Sequence, residues 1–233
     1  MVSNNLTSKR ITVFAGHYGS GKTNIAVNYA IYLNDLGNKT VIADLDIVNP
    51  YFRTKDSEKT LKDKGVKLIS SEYANTNVDV PALPAETYSV FADKDCKGVL
   101  DVGGDDRGAL ALGRYVPLIL EENDYEMLFV INKYRFMTGT PEGTIEIMKE
   151  IEDACGLKFT GIVNNSNIGE ETTVETVVSS MEYAKNVSRL SGLPIKMTTV
   201  WDAIYDKAKE EKIENLFPLK MYVKQSWLKE RDE

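Results

Sequence analysis

Short apolar segments rich in β-branched residues alternate along this chain with longer segments of helical periodicity. Segments that are apolar throughout are typical of strands buried on both faces, as in a parallel sheet covered by helices. Their alternation with helices predicts repeated β-α-β units, and therefore an α/β fold with a mostly parallel sheet of roughly seven strands. The predicted strands cover residues 11–15, 40–44, 66–70, 98–102, 126–131, 160–163 and 195–200.

Three segments between the predicted strands have the spacing of amphipathic helices. In residues 22–36 the apolar side chains recur at helical spacing and form one stripe. The segment 140–154 begins with Thr140 in the N-cap position and Pro141 at the first helical position, a combination that favours helix initiation. A third helix is predicted over 172–190. A glycine closely follows each segment, which is typical of helix C-termini.

The composition is that of a globular chain, since 42% of the 233 residues are hydrophobic and 27% are charged. No linker-like stretch rich in glycine, proline or serine interrupts the chain, so residues 1–233 are predicted to form a single domain. Near the C-terminus, Leu219, Val223 and Trp227 recur at helical spacing and predict a helix over about 217–230 that packs on this domain.

Charge and hydropathy disfavour several classes of partner. A net charge of −7 disfavours binding to nucleic acid, which requires clustered lysine and arginine to neutralise phosphates. No segment approaches the roughly 20 apolar residues that span a bilayer, and the N-terminus lacks the apolar core of a signal peptide. The basic face of the predicted C-terminal helix is thin, so membrane binding is not expected. We therefore expect a cytoplasmic protein.

Residues 16–23 read GHYGSGKT and fit the phosphate-binding pattern GxxxxGK[ST]. The motif directly follows the predicted strand 11–15 and opens the predicted helix 22–36, which is the context that this pattern requires. Glycines allow backbone N–H groups to turn toward phosphate, and the helix N-terminus adds partial positive charge. We expect Lys22 to reach the β- and γ-phosphates and the Thr23 hydroxyl to bind Mg²⁺. The predicted nucleotide-binding residues here are Gly16, His17, Tyr18, Gly19, Ser20, Gly21, Lys22, Thr23 and Asn24.

Carboxylates at strand ends supply the second part of a phosphate-transfer site. Asp44 and Asp46 lie at the end of the second predicted strand, and Asp101 ends the fourth in the sequence DVGGDD. The carboxyl ends of parallel strands lie at one edge of the sheet, where ligands bind. Asp46 and Asp101 are therefore predicted to bind Mg²⁺ and to orient the attacking nucleophile. The alternative for both is a role in turn formation.

The phosphate loop, the sequence AspLeuAsp at 44–46 and the sequence AspValGlyGly at 101–104 together resemble the MinD/ParA-type ATPases. That group includes the nitrogenase iron protein and the metal-insertion ATPases. The resemblance covers most of the chain in order and spacing. It implies a three-layer P-loop NTPase fold that binds ATP and Mg²⁺, with Lys22, Asp46 and Asp101 as catalytic residues.

Further residues acquire roles by the same resemblance. Asp101 and Gly104 would form the second switch, and Asp46 would orient the hydrolytic water. Asn164, in the sequence GIVNN at the end of a strand, matches the position at which the family reads adenine. Asn165 is a close alternative, and an asparagine-rich turn is a third interpretation.

One residue departs from the family pattern. His17 occupies the position of a second lysine, which in the family crosses a dimer interface to the partner's nucleotide. This departure puts the nucleotide-sandwich arrangement in doubt and leaves a homodimer open. His17 is also the only histidine, so it is either an ordinary loop residue or a pH-dependent phosphate contact.

The sequence NKYR at 132–135 is similar to the guanine-reading motif NKxD of GTPases. Arg135 replaces the aspartate that accepts hydrogen bonds from guanine, and an arginine has no acceptor. ATP is therefore predicted in preference to GTP. Arg135 itself could contact phosphate, contact a partner or lie on the surface.

Three functions are compatible with these residues. The first is an ATP-dependent switch that hydrolyses ATP slowly and acts on a partner protein, with residues 49–55 and 103–107 ordered by ATP. The second is a biosynthetic enzyme of the dethiobiotin synthetase or cobyrinate amidoligase type, which would phosphorylate a small carboxylate. The third is a nucleotide-binding module with negligible turnover. The long irregular segment 71–84 could hold a substrate or a partner.

Overall fold

A parallel sheet runs through the computed structural model, which describes residues 8–46, 54–70 and 85–222. The strands in these ranges are β1 (Ile11–Ala15), β2 (Thr40–Asp44), β3 (Lys67–Ile69), β4 (Lys97–Asp101), β5 (Tyr125–Ile131), β6 (Gly161–Asn164), β7 (Ile195–Trp201) and β8 (Leu216–Leu219). Their order is β3-β2-β4-β1-β5-β6-β7-β8, and every neighbouring pair is parallel. β1 therefore lies in the interior, between β4 and β5.

Helices cover both faces of the sheet. They are α1 (Lys22–Asp35), α2 (Glu58–Asp63), α3 (Tyr88–Ala92), α4 (Asp106–Gly113), α5 (Val116–Glu122), α6 (Pro141–Cys155), α7 (Val174–Ser191) and α8 (Tyr205–Glu210). Apolar side chains of α1 form one core with the sheet, and those of α4 to α7 form another on the opposite face. Within β1, Val13 belongs to the second core and Phe14 to the first, as the alternation of a strand requires. The predicted three-layer α/β arrangement is confirmed.

The predicted strands and helices differ from the observed ones mainly at their ends. β1 and β2 have the predicted bounds, whereas β3 is shorter than predicted. The Thr140 side chain accepts a hydrogen bond from Gly143 N at 3.3 Å, so Thr140 is the N-cap of α6 as predicted. α7 begins at Val174 rather than at residue 172, because the side chains of Thr173 and Thr176 cap its first turn reciprocally.

The C-terminal helix predicted over 217–230 is wrong where the structure describes this segment. Leu216–Leu219 form β8, which pairs in parallel with β7. Phe217 and Leu219 both face the core that contains α1, which is the spacing of a strand rather than of a helix. Pro218 is compatible with β8 because this strand lies at the edge of the sheet. The remainder of the predicted helix, from residue 223, lies outside the described residues.

Two asparagine side chains of α1 hold the chain that leaves β8. Asn28 Oδ1 accepts from Lys220 N at 2.8 Å, and Asn28 Nδ2 donates to Lys220 O at 2.9 Å. Asn24 Oδ1 accepts from Tyr222 N at 3.1 Å. The end of the edge strand is therefore fixed against the first half of α1.

Helix length bears on membrane association. α7 has 18 residues and buries one polar-flanked apolar stripe that includes Val177, Ala184 and Val187. Within the described ranges, no helix is both long enough and apolar enough to cross a bilayer.

The organisation of residues 1–233 as a single domain stays a prediction.

A buried arginine joins three elements at the amino edge of the sheet. Arg10 precedes β1 and donates from Nη1 to Val90 O at 2.9 Å and from Nη2 to Glu122 Oε2 at 2.7 Å. Glu122 ends α5, and its side chain is only 9% exposed. Hydrogen bonds from Arg10 lower the pKa of Glu122 to about 2, although partial burial opposes this shift. The ion pair ties α3 and α5 to the start of β1.

Glu122→Gln is expected to lower the free energy of unfolding at neutral pH by about 3 kcal/mol, because Arg10 would stay buried without its counter-ion. The folded-state pKa of about 2 lies below the usual value of 4.5, so the stabilisation is present above the usual value and is lost as the pH falls toward 2. Urea denaturation at several pH values measures both effects.

The matched control for this prediction is Glu121→Gln, because Glu121 is exposed on the same helix. It should change the free energy of unfolding by less than about 0.5 kcal/mol. The difference in the free energy of unfolding between wild type and Glu122→Gln should become smaller as the pH falls. If this difference stayed constant at low pH, the assigned role of the ion pair would be contradicted.

Candidate functional site

The predicted phosphate loop connects the end of β1 to the start of α1, at the carboxyl edge of the sheet. Since β4 and β5 flank β1, the segments that follow these strands reach the same edge as the loop. β2 lies beside β4, so the segment after β2 also ends there. The fold thus brings the loop residues, Asp46, Asp101 and Gly104 to one side of the molecule.

Glycine is required at both ends of the loop. Gly21 is the N-cap of α1 with a φ of 90°, and a Cβ at this position would lie 2.2 Å from Asn165 Nδ2. A Cβ on Gly16, where φ is 154°, would lie 2.5 Å from the carbonyl oxygen of Val130. Each position combines a positive φ with a close approach of another segment, so a side chain is excluded at both. The two fixed glycines of the sequence motif are thereby explained.

The Lys22 side chain is buried beneath the loop. Its Nζ donates a hydrogen bond to His17 O at 3.2 Å. Burial lowers the pKa of Lys22, and the negative charges of Asp101, Asp46 and Asp105 oppose this lowering. The ammonium group is therefore held among carboxylates at the first turn of α1, where the motif predicted a phosphate contact.

Asp101 ends β4 and is only 1% exposed. Its Oδ2 accepts a hydrogen bond from Thr54 Oγ at 2.9 Å. Burial raises the pKa of Asp101 to about 6, although the charge of Lys22 and the hydroxyls of Thr54 and Thr23 act in the opposite direction. Its Oδ1 is buried and has no hydrogen-bond partner among the described residues. This oxygen is thus a buried acceptor whose hydrogen-bonding capacity is unused among the described residues.

Asp46 lies immediately after β2, where its backbone N–H donates to Asp44 Oδ1 at 3.0 Å. Its Oδ1 would lie 3.1 Å from a Cβ on Gly103, so its carboxylate reaches the segment after β4. The carboxylates of Asp46 and Asp101 and the Thr23 hydroxyl together supply oxygen atoms near Lys22 that could act as metal ligands. Oxygen donors of this kind suit Mg²⁺, so the three predicted metal ligands fit that ion.

Gly104 lies directly on the phosphate loop. A Cβ at this position would lie 2.6 Å from Tyr18 N and 2.9 Å from Lys22 Nζ, so no side chain fits there. α4 begins just after this contact, and the Asp105 side chain caps it by accepting from Gly108 N at 2.9 Å. The predicted pairing of Asp101 with Gly104 therefore corresponds to a segment in contact with both the loop and its lysine.

The two candidate base-reading asparagines have different surroundings. Asn164 Nδ2 donates to Ser180 Oγ at 3.0 Å, and its Oδ1 accepts from Ser166 Oγ at 2.7 Å. Asn165 Nδ2 donates to Ser20 O at 2.6 Å, and its Oδ1 accepts from the Thr199 hydroxyl. Asn165 therefore touches the phosphate loop, whereas Asn164 bonds to α7 and to its own turn. Which of them contacts a base stays a prediction.

The other predicted loop residues have modest roles in this structure. His17 Nδ1 lies 3.1 Å from the Tyr18 carbonyl oxygen, and the Tyr18 ring is 54% exposed. The Ser20 hydroxyl is buried and has no hydrogen-bond partner among the described residues. The Asn24 side chain accepts a hydrogen bond from Tyr222 N, in the chain after β8. Sequence reasoning placed Asn24 in the nucleotide site and had no signal for this second partner.

The NKYR segment follows β5 and is fixed by its own polar side chains. Asn132 is buried, and its Oδ1 accepts from Tyr134 N at 3.0 Å and from Asn167 N at 3.3 Å. Lys133 Nζ donates to Ser179 O at 2.9 Å, on α7. The first two residues of the motif are thus used within the protein.

Comparison with known proteins supports the fold. No family model and no curated protein matches the chain. Among solved structures, FtsY from Mycoplasma mycoides aligns with 22% identity and a TM-score of 0.55, over 85% of this chain and 63% of its own. Cell division protein FtsY from Thermotoga maritima aligns with 20% identity and a TM-score of 0.53, over 82% of this chain and 61% of its own. The signal recognition particle 54 kDa protein from Aeropyrum pernix, solved with GDP, aligns with 16% identity and a TM-score of 0.53, over 84% of this chain and 42% of its own.

The chain has a P-loop NTPase-like fold. The fold class predicted from sequence is thereby confirmed, with eight strands in the described sheet where roughly seven were predicted. The chain spans about three fifths of the length of the FtsY chains that it matches. At these identities the likeness concerns the fold, and membership of the MinD/ParA-type group stays a prediction.

Asn165→Ala is expected to lower the free energy of unfolding by about 1–3 kcal/mol, because Ser20 O and the Thr199 hydroxyl would lose a buried partner. Thermal and urea denaturation measure the effect. Asn34→Ala is the control, since it removes one exposed hydrogen bond, to Lys64 O, and should cost less than about 1 kcal/mol. Equal decreases in the free energy of unfolding in the two variants would argue that the hydrogen bonds of Asn165 do not hold the loop in place.

Proposed function

We propose that this protein binds ATP and Mg²⁺ at the phosphate loop, hydrolyses ATP slowly and acts as a nucleotide-dependent switch on a partner protein. The observation that carries the proposal is the buried Lys22 ammonium, which lies between the loop and two strand-end carboxylates. A buried cation under a glycine loop that opens a helix is suited to binding a phosphate chain. Its Nζ donates a hydrogen bond to a loop carbonyl, His17 O, which a phosphate oxygen would replace.

The residues around Lys22 suit phosphoryl transfer to water. Thr23, Asp46 and Asp101 would bind the metal, which would neutralise charge that develops on the phosphates. Lys22 would stabilise the same charge from the side of the loop. Asp46 reaches the segment after β4 and would orient the attacking water there. This division of roles follows the resemblance to the MinD/ParA-type ATPases.

Close contact between the loop and the segment after β4 supports a switch. Gly104 lies so near Tyr18 N and Lys22 Nζ that a phosphate group added to this space would press on the segment. The Thr54 hydroxyl bonds to Asp101, so the segment that follows residues 47–53 is linked to the same carboxylate. Two segments would therefore respond to the presence of the γ-phosphate, as in other nucleotide switches.

The choice of ATP over GTP rests on the NKYR segment. Arg135 supplies no acceptor for guanine, and the polar groups of Asn132 and Lys133 bond within the protein. Because the Aeropyrum pernix protein was solved with GDP, GTP is the nucleotide against which ATP has to be compared.

Exposed apolar side chains near the loop support a protein partner. Tyr18 is 54% exposed within the loop, and Phe136 is 98% exposed just after Arg135. Met137, the next residue, is about half exposed. Large apolar side chains are seldom left in contact with water in groups, and such groups often mark protein interfaces. The partner could be a second protein or, in a homodimer, a second copy of this chain.

Lys22→Ala is expected to weaken ATP binding about 10- to 100-fold, the loss of one charge-assisted hydrogen bond to phosphate. Calorimetric titration with ATP and GTP in the presence of Mg²⁺ measures affinity, and phosphate release in the same samples measures turnover. Lys185→Ala, in the middle of α7, is the control and should bind as wild type does.

The outcomes separate the candidate functions. Slow phosphate release from ATP that a partner accelerates would support the switch. Phosphate release that requires a small carboxylic acid would instead favour the amidoligase type. Tighter binding of GTP than of ATP would overturn the nucleotide assignment, and failure to bind either nucleotide would overturn the proposal as a whole.

Gly104→Ala is expected to reduce phosphate release at least about tenfold, because its methyl group would collide with Tyr18 N and displace the segment from the loop. The far-ultraviolet circular dichroism spectrum should stay that of wild type. Gly113→Ala is the control, since a Cβ there would make an ordinary contact, 3.4 Å from Cys155 O. Full activity of Gly104→Ala would show that this close contact is not used in catalysis.

A further inference from the structure

Arg135 lies beside the phosphate loop. A Cβ built on Gly19 would be 3.4 Å from both Cζ and Nε of Arg135, so the guanidinium group lies against the middle of the loop. The Arg135 backbone is fixed on both sides, because its N–H donates to Asn132 O and its carbonyl accepts from Thr138 N, both at 3.2 Å. The buried Asn132 side chain anchors this turn in addition. The side chain therefore emerges from a rigid base directly over Gly19.

The charge of Arg135 is unused by the part of the protein that the structure describes. Within residues 8–46, 54–70 and 85–222, its side chain has neither an ion pair nor a hydrogen bond. The side chain is exposed, so the guanidinium can turn toward a ligand without breaking an ion pair or a hydrogen bond to a described residue. Arginine carries five N–H donors in a planar arrangement that matches the oxygens of a phosphate group.

The loop itself is poor in positive charge. Among residues 16–24, Lys22 is the only lysine or arginine, and the ammonium of Lys22 also faces the carboxylates of Asp46 and Asp101. A nucleoside triphosphate carries several negative charges, which one partly neutralised lysine balances incompletely. A second cation at the outer side of the loop would complement the first from the opposite direction.

The geometry points to a binding role for Arg135: its guanidinium donates hydrogen bonds to the phosphates of the nucleotide that the loop holds. This inference rests on the proposed nucleotide-binding function and adds a specific residue to it. A phosphate contact is favoured over a contact with the base, because the guanidinium lies against Gly19, in the loop whose backbone would surround the phosphates. Lys22 and Arg135 would then hold the phosphate chain between α1 and the turn after β5.

The test compares Arg135→Ala and Arg135→Lys with wild type by calorimetric titration with ATP and Mg²⁺ at low and high potassium chloride. Arg135→Ala should weaken ATP binding about tenfold or more at low salt, and its affinity should depend less on salt. Arg135→Lys keeps the charge and should recover most of the affinity and of the salt dependence. Arg189→Ala is the matched control, because Arg189 is exposed in the last turn of α7. Since α7 leads to the start of β7, its last turn lies at the amino edge of the sheet, opposite the loop.

These titrations distinguish a phosphate contact from other roles of Arg135. ATP affinity of Arg135→Ala within twofold of wild type would overturn it while leaving Lys22-dependent binding, and so the proposed function, intact. Equal losses in Arg135→Ala and Arg135→Lys, with the salt dependence of wild type, would also overturn it and would indicate stacking on the base. Absence of ATP binding by wild type would overturn the proposed function together with this inference.

Discussion

Burial of the Lys22 ammonium beside the carboxyl group of Asp101 is the interaction on which the rest of the site depends. Removing either charge from water is unfavourable, and the opposite charge nearby offsets part of that cost, although burial still lowers the pKa of Lys22 and raises that of Asp101. The space is so confined that Gly104 cannot carry a side chain. The close approach of Gly104 to Tyr18 N and Lys22 Nζ therefore places the segment after β4 directly against the loop after β1. A ligand that changes the balance of charge here must affect both segments.

This constraint explains why much of the fold and part of the site could be predicted from the sequence. Strands buried on both faces have sequences that are apolar almost throughout, so the bounds of β1 and β2 can be predicted and agree with the structure. Once these strands are known to be parallel, their carboxyl ends must meet, and Lys22, Asp46 and Asp101 come together without further information. The sequence predicts this placement because local pattern and global arrangement agree at these positions.

Where the sequence predicts a different element or leaves two residues as alternatives, contacts distant in sequence decide the structure. Leu219, Val223 and Trp227 have the spacing of a helix. Pairing with β7 nevertheless makes Leu216–Leu219 an edge strand, and the asparagines of α1 bind the chain that follows it. Asn164 and Asn165 are adjacent and chemically identical, yet they point to opposite sides of the strand end and only Asn165 reaches the loop. Nothing in the local sequence distinguishes them, because the distinction is made by α7 and by Ser20 across the sheet.

The edge strand and the site also share partners, so they behave as one hydrogen-bonded unit. Tyr222 N donates to the side chain of Asn24, the residue next to Thr23, and the Ser57 hydroxyl donates to Tyr222 O at 3.4 Å. Ser57 lies in the same 3₁₀ turn as Thr54, whose hydroxyl bonds to Asp101. A shift of Asp101 or of the first turn of α1 must therefore strain these bonds or move the chain after β8 with it. The chain after β8 is thereby hydrogen-bonded to the segments that contain Thr23 and Thr54.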